Sequence, residues 1–204
     1  MIKTENFDQV EVSSPAELRD WLEAHHAQEE SVWLVTYKKS TPEKYVSVQD
    51  ILDEVIAFGW VDGIRRKTDP KLNADGVPEE RTMQLIAPRS TQHWAKSYKD
   101  RAAKLEAEGR MHEAGRAAIE RSKASGMWTF MDDVDALITP KDLQAELDKH
   151  AGATAFFDAL APSAKRYTLR WIKLAKTHAT RKKRVLATAE KSAKGEFVPG
   201  VRMG

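Results

Sequence analysis

The apolar positions change period along the chain, and those changes mark its elements. Ser31-Val32-Trp33-Leu34-Val35-Thr36-Tyr37 is an unbroken β-branched and aromatic run, which predicts a central strand covered on both faces. Upstream, Phe7, Val10 and Val12 predict a short strand. Ser14-Pro15 then opens a helix with Leu18, Trp21, Leu22 and His25 on one face. Beyond Lys38 and Lys39, Ser47 reads as an N-cap with Asp50 in the first turn, and Ile51, Leu52, Val55, Ile56 and Phe58 recur at helical spacing as far as Gly59. Trp60, Val61 and Ile64 give the next stretch strand character, with Gly63 marking a bulge or a close approach. Pro70, Asn73, Asp75-Gly76 and Pro78 make residues 68–80 a loop. Arg81 to Ala87, with Met83, Leu85 and Ala87 on one face, is predicted to return antiparallel to Trp60 through Lys67.

After Pro88 the two-residue period is lost and only helical spacing remains. Pro88 to Thr91 is expected to start a helix through Glu108, striped by Trp94, Tyr98, Ala102 and Leu105. Met111 to Ser125 reads as another helix and Trp128 to Pro140 as an acidic connection. Further helices are predicted over Lys141 to His150, Ala153 to Leu160, Ser163 to Lys176 and about Thr180 to Lys194, before a tail from Gly195 that is expected to fray. The pattern defines an α+β fold: a small, mostly antiparallel sheet with helices over residues 1–127, then an all-helical C-terminal domain or subdomain over 128–204.

At 204 residues, 41% apolar and 31% charged, the chain has the composition of a globular protein able to bury a sizeable core. The formal charge of +2 is almost neutral, but its distribution is not. Residues 1–60 hold 5 cations and 12 anions, 61–128 hold 14 and 10, 129–160 hold 2 and 7, and 163–194 hold 11 and 1. Such polarity points to an electrostatic partner or to docking of acidic on basic segments within the chain. There is no cysteine, which removes disulfide and thiolate chemistry. With no apolar leader and no run of membrane-spanning length, a cytoplasmic protein without a transmembrane segment is expected.

Several motifs carry a resemblance: Pro15-Ala16-Glu17-Leu18 with Trp21-Leu22-Glu23-Ala24-His25-His26, Val32-Trp33-Leu34 with Tyr37-Lys38-Lys39, and Phe58-Gly59-Trp60-Val61-Asp62-Gly63. Pro88-Arg89, Trp94, Glu108-Gly109-Arg110-Met111, Gly115, Lys176-Thr177, Thr180-Arg181 and Arg184 continue it. In order and spacing over about residues 7–190, the chain resembles the YdeI or OmpD-associated family, also called the bacteriocin-protection family. The resemblance implies an α+β N-terminal part, a helical C-terminal part and a stress- or bacteriocin-protection role, without a defined chemistry. Where the family usually has a Ser-Asn-Trp-Ser-Lys-Ile-Asn type run, this chain reads Gln92-His93-Trp94-Ala95-Lys96-Ser97-Tyr98.

Two regions concentrate candidate chemistry. Around the Trp60 strand, Asp62 lies between Trp60 and the cations Arg65, Arg66 and Lys67. Together with Arg81, Arg89, Trp94 and Lys96 these would bind an anionic small molecule or an acidic protein surface, helped by N–H donors of a helix starting after Pro88. The alternative is a solvated strand face with Asp62 serving the bulge. The second region is the helix pair from Lys165 to Lys194, where Arg166, Arg170, Lys173, Lys176, Arg181, Lys182, Lys183 and Arg184 would follow a nucleic-acid backbone or an anionic membrane surface, or pair with the acidic Asp132 to Asp158 stretch or the acidic first sixty residues. Tyr167 and Trp171 are assigned to an apolar stripe with Ala164, Leu174 and Ala175. The six histidines lack metal-ligand spacing, and there is no nucleophile elbow, phosphate loop or dinucleotide fingerprint, so no metal and no cofactor is expected. The reading is a non-catalytic binder of an anionic ligand or partner. Its alternatives are nucleic-acid binding through the C-terminal helices, and an enzyme that would pair Asp62 with His93 or Lys96.

Overall fold

Every residue of the apolar run from Val32 to Tyr37 is buried in β2 (Val32–Tyr37), which has a strand on each side in the sheet. The computed structural model describes residues 7–199, and the chain divides into two units, one ending at Thr129 and the other starting at Phe130. In the first, β1 (Gln9–Glu11), β2, β6 (Arg81–Pro88) and β3 (Trp60–Lys67) form a sheet in that order. β1 runs parallel to β2, and the other two pairings are antiparallel. One face carries Val32, Leu34, Ile86 and Trp60 into a core with Leu18, Leu22, Ile51, Val55, Ala102 and Leu105 from the helices.

Met83, Leu85 and Ala87 share one face of β6 as expected. In β6 the face turned into the core belongs to Gln84 and Ile86, both buried, while Met83, Leu85 and Ala87 are only half-buried. One expectation here needs correction, because the stretch 68–80 is not all loop: β4 (Lys71–Leu72) pairs antiparallel with β5 (Pro78–Glu79). The Asn73 carboxamide oxygen closes that turn by accepting from the N–H groups of Asp75 and Val77, at 3.0 and 2.8 Å.

Helix α1 (Pro15–His25) is capped by the Ser14 hydroxyl and α2 (Val48–Ala57) by that of Ser47, each accepting a backbone N–H at 3.1 Å. Gly59, at φ +73°, turns the chain out of α2 into β3, where an L side chain is strained. A Cβ there would also lie 2.8 Å from the Ala114 carbonyl oxygen, because α4 (Glu113–Ala124) crosses the end of α2 backbone to backbone. Helix α3 (Lys96–Ala107) starts later than the sequence pattern implies. Residues 89–95 are instead pinned by long-range bonds, Arg89 N–H to the Gly59 carbonyl at 3.0 Å and Trp94 N–H to that of Met127 at 3.1 Å. Buried Asp53 and Glu54 tie these helices together: Arg101 and Arg110 pair with Asp53, and Arg19 and Arg110 with Glu54 at 2.9 and 2.7 Å. The hydrogen bond that Arg110 donates to Glu54 raises the Arg110 pKa.

The second unit contains α5 (Asp132–Asp135), α6 (Lys141–Leu147), α7 (Ala153–Asp158), α8 (Pro162–Lys173) and α9 (His178–Ala193) around Met131, Leu143, Phe157, Leu169, Ile172 and Ala189. The fraying expected from Gly195 does not hold for residues 195–199. Val198 is 4% exposed and Phe197 sits edge-on to Phe156 with centroids 5.9 Å apart. The remainder of that tail, residues 200–204, lies outside the described residues. No helix among the described residues is long and apolar enough to cross a membrane.

Candidate functional site

The strand after Trp60 carries a register shift that decides where its side chains go. Asp62 stands opposite Ile86 and Arg65 opposite Gln84, so Gly63 and Ile64 together face Leu85. Residues 62 and 65 would point to opposite faces of a regular strand. The bulge restores them to the same face, the one shared with Gln84. A Cβ on Gly63 would lie 3.3 Å from the Leu85 carbonyl oxygen, so a residue with little bulk suits the bulge.

A hydrogen-bonded chain follows from this register. Gln84 donates through Nε2 to one oxygen of Asp62 at 3.0 Å. Its Oε1 accepts from Arg65 Nε and Nη2 at 3.0 and 2.6 Å. The Tyr98 hydroxyl donates to the other Asp62 oxygen. These contacts orient the Gln84 amide, its N–H toward the acid and its carbonyl toward the cation. Tyr98 in turn lies beside the Arg89 guanidinium, 5.6 Å from ring centroid to Cζ, and Trp94 covers Arg89 at 4.0 Å. Burial pushes the Tyr98 hydroxyl pKa up, and its hydrogen bond to Asp62 adds to the rise. Burial also pulls Arg89 down to about 10, against Tyr98 and Asp62, which favour its charge, so it stays a cation at neutral pH.

The predicted cations do not converge on one edge. Arg65 is exposed and has no carboxylate partner among the described residues, whereas Arg66 opposes Met83 on the other face and lies over Trp33 at 5.2 Å. Arg81 is bonded to Glu11 at 2.5 Å and to the Asp69 carbonyl, and Lys67 is exposed at the strand end. Arg89 is 4% exposed, with Nη1 donating to the carbonyls of Gln92 and His93 and Nε without a hydrogen-bond partner. Trp60 and Trp94 are core side chains, donating to the His26 carbonyl at 3.2 Å and the Ser122 hydroxyl at 2.9 Å. Lys96 is a surface residue paired with Asp100 at 2.7 Å. Since α3 begins at Lys96, no helix N-terminus opens just after Pro88.

Arg65 lines a cleft of about 480 Å³ at the end of the sheet. Tyr45, Val46, Val48 and Ile51 give the cleft an apolar side, and Lys39, whose ammonium lies 5.8 Å from the Tyr45 ring centroid, adds a second cation. Lys38 also borders it but is paired with Glu80 at 2.8 Å. Among the described residues no group of three His, Asp or Glu is arranged to hold a metal ion. Sequence reasoning missed Gln84, Lys39 and Tyr45. A glutamine at a core-facing strand position was the available signal for the first.

In the second unit, several candidate nucleic-acid contacts are engaged by the acidic stretch. Arg166 approaches Asp135 at 3.7 Å, Arg181 binds Asp142 at 2.7 Å, Lys165 binds Asp158 at 2.8 Å and Lys173 binds Asp133. Arg181 holds the Asp142 pKa below its usual value, and Asp142 raises that of Arg181. Arg184 donates to the Trp171 carbonyl and lies over its ring at 5.0 Å. Arg170, Lys176, Lys182 and Lys183 are exposed.

The first unit is thus an α+β domain with an arginine-bearing cleft, and the chain belongs to the family described as Domain of unknown function (DUF8412), whose model matches residues 10–118, just over half its length. Residues 136–195 match a second model, Bacteriocin-protection, YdeI or OmpD-Associated. That match is narrower than the motif resemblance over about residues 7–190. The Phe-Gly-Trp-Val-Asp-Gly run lies within the first family's span instead. No curated protein and no solved structure matches the chain.

Proposed function

We propose that this is a bacteriocin-protection type protein acting as a binder, and that its ligand is a small anion with an apolar body held in the Arg65 cleft. The observation that carries the reading is the Arg65 guanidinium: it is fixed by a neutral amide, is ion-paired to no carboxylate among the described residues, and stands beside an apolar wall. Such a group gains a charge-assisted, two-point hydrogen bond from a carboxylate or phosphate without first breaking an ion pair. A cleft of several hundred Å³ matches small-molecule sites in size, and its one carboxylate, Glu80, is paired with Lys38. Binding is favoured over catalysis because both Asp62 oxygens already accept hydrogen bonds and Lys96 is paired with Asp100. The match of residues 136–195 supports the protective role.

Titration calorimetry with phosphate, phenyl phosphate, acetate and benzoate tests the reading. One of the aromatic anions should bind best. Arg65→Met should weaken it by roughly ten-fold or more, as expected for loss of a hydrogen bond to a charged group, while Lys96→Met should not. Equal affinity in the Arg65→Met variant, or no saturable binding across the panel, would refute it.

A further inference from the structure

The basic helices of the second unit are not uniform around their axes. On α8, Ala164, Thr168, Leu169 and Ile172 face inward. At about 100° per residue, Lys173 falls just beyond the Leu169 edge of that buried stripe and Lys165 between Ile172 and Leu169, and they pair with Asp133 and Asp158. Tyr167, Trp171 and Leu174 fall on the other side, with Arg170 next to them. These four residues and Arg184 of α9 line a groove of about 280 Å³ without any acidic residue. Tyr167 is 41% exposed and Leu174 39%, although both were expected in an apolar stripe. Lys183, exposed, lies about 100° from Arg184 around α9, and Lys182 about 160° from it by helical geometry.

We propose that this groove binds single-stranded nucleic acid. Tyr167 and the exposed part of Trp171 supply faces on which bases stack, which requires no sequence preference. Arg170, Lys183 and Arg184 follow the phosphates. Arg184 is already held flat over Trp171, an arrangement in which a guanidinium both extends a stacking platform and meets a phosphate. A duplex keeps its base faces inside the stack and offers them to neither ring. Lys165 and Lys173 are paired with Asp158 and Asp133, whereas no acidic residue lines the groove.

The test is fluorescence anisotropy of a labelled oligothymidylate and of a duplex of equal length, at two salt concentrations, with full-length protein. The single strand should bind more tightly, with log K falling against log salt by about 2 for three phosphate contacts. Tyr167→Ala should weaken binding roughly ten-fold or more, and Tyr167→Phe, which keeps the ring, should bind like the parent. Lys183→Glu should weaken binding and flatten the salt slope, while Lys165→Gln, at a lysine paired with Asp158, should change it little. Circular dichroism confirms that each variant keeps its helices. The proposal fails if the duplex binds as well as the single strand, if Tyr167→Ala binds like the parent, or if no oligonucleotide binds. Binding to phosphatidylglycerol vesicles without oligonucleotide binding would assign the groove to a membrane surface instead.

Discussion

Gly115 is where helix propensity and packing predict opposite signs, so replacing it with alanine separates them. Gly115 lies in the first turn of α4 with helical backbone, and an added methyl group gains at most about 1 kcal/mol of propensity. That methyl would sit 2.2 Å from the Ala57 carbonyl oxygen and 2.6 Å from Met111 Sδ. The sulfur is the end of a flexible side chain and can move. The carbonyl oxygen cannot move freely, because it ends α2 and accepts the His112 N–H at 3.1 Å. Relief therefore requires α4 to back away from α2 by roughly an ångström, which loosens the contacts around Gly59 as well. Overpacking of this kind costs about 1–3 kcal/mol, and with backbone on the receiving side the upper end applies. The net expectation is about 2 kcal/mol of destabilisation, a drop of about 1 M in urea midpoint for a typical slope. Tryptophan fluorescence is the suitable probe, because five of the six tryptophans, at positions 21, 33, 60, 94 and 128, lie in the first unit. Gly126→Ala is the contrast: φ is +76° there with open space around it, so only backbone strain of about 1–2 kcal/mol is paid. A Gly115→Ala midpoint equal to the parent's or above it would refute the packing argument.

Acid should erase the contribution of Glu11. Burial raises its pKa, but hydrogen bonds from Lys71, Tyr37 and Arg81 outweigh that and bring it from 4.5 to about 2. The stabilisation is then complete above about pH 4.5 and lost as pH falls toward 2, so the gap in urea midpoint between parent and Glu11→Gln should close across that window. A gap unchanged down to pH 2 would contradict the assignment. Tyr98→Phe strands one oxygen of half-buried Asp62 and should cost about 1–3 kcal/mol in thermal or urea unfolding, while an unchanged midpoint would mean that water replaces the hydroxyl. Trp94→Phe and Ser122→Ala each remove the 2.9 Å bond between those side chains. A double-mutant cycle should return about 1 kcal/mol of coupling, and strict additivity would show that the bond contributes nothing net.

The elements of the first unit were legible because their signals are local: an unbroken β-branched run for β2, a serine cap and a terminal glycine for α2, and a glycine-marked bulge in β3. Side-chain direction was less so. In β6 the count of apolar residues favours Met83, Leu85 and Ala87, but Gln84 takes the core position at little cost because Asp62 and Arg65 satisfy its amide. That satisfaction depends on the register of β3 against β6, fixed by where the bulge falls and not by either strand alone. Arg89 misleads for a similar reason. An arginine after a proline reads as a surface cation until Trp94 and Tyr98, five and nine residues later, are known to cover it. In the second unit the complementarity of the acidic and basic blocks was visible as segment charge. Which partners meet, and that Tyr167 and Trp171 border a groove free of acids, required the helices to be packed.

The Asp62 carboxylate links two arginines of opposite character. Toward the core, its charge favours the Arg89 cation and offsets part of the burial that lowers the Arg89 pKa. Toward solvent it acts through Gln84, orienting that amide so that its carbonyl fixes Arg65 without neutralising it. A carboxylate placed directly against Arg65 would immobilise it equally well but would cancel the charge that an incoming anion meets. An intervening amide supplies rigidity and leaves that charge available, because an amide is dipolar and carries no net charge. The polar chain behind β3 therefore suits a binding cation at its exposed end, and the bulge at Gly63 brings Asp62 and Arg65 to the same face, where Gln84 can join them.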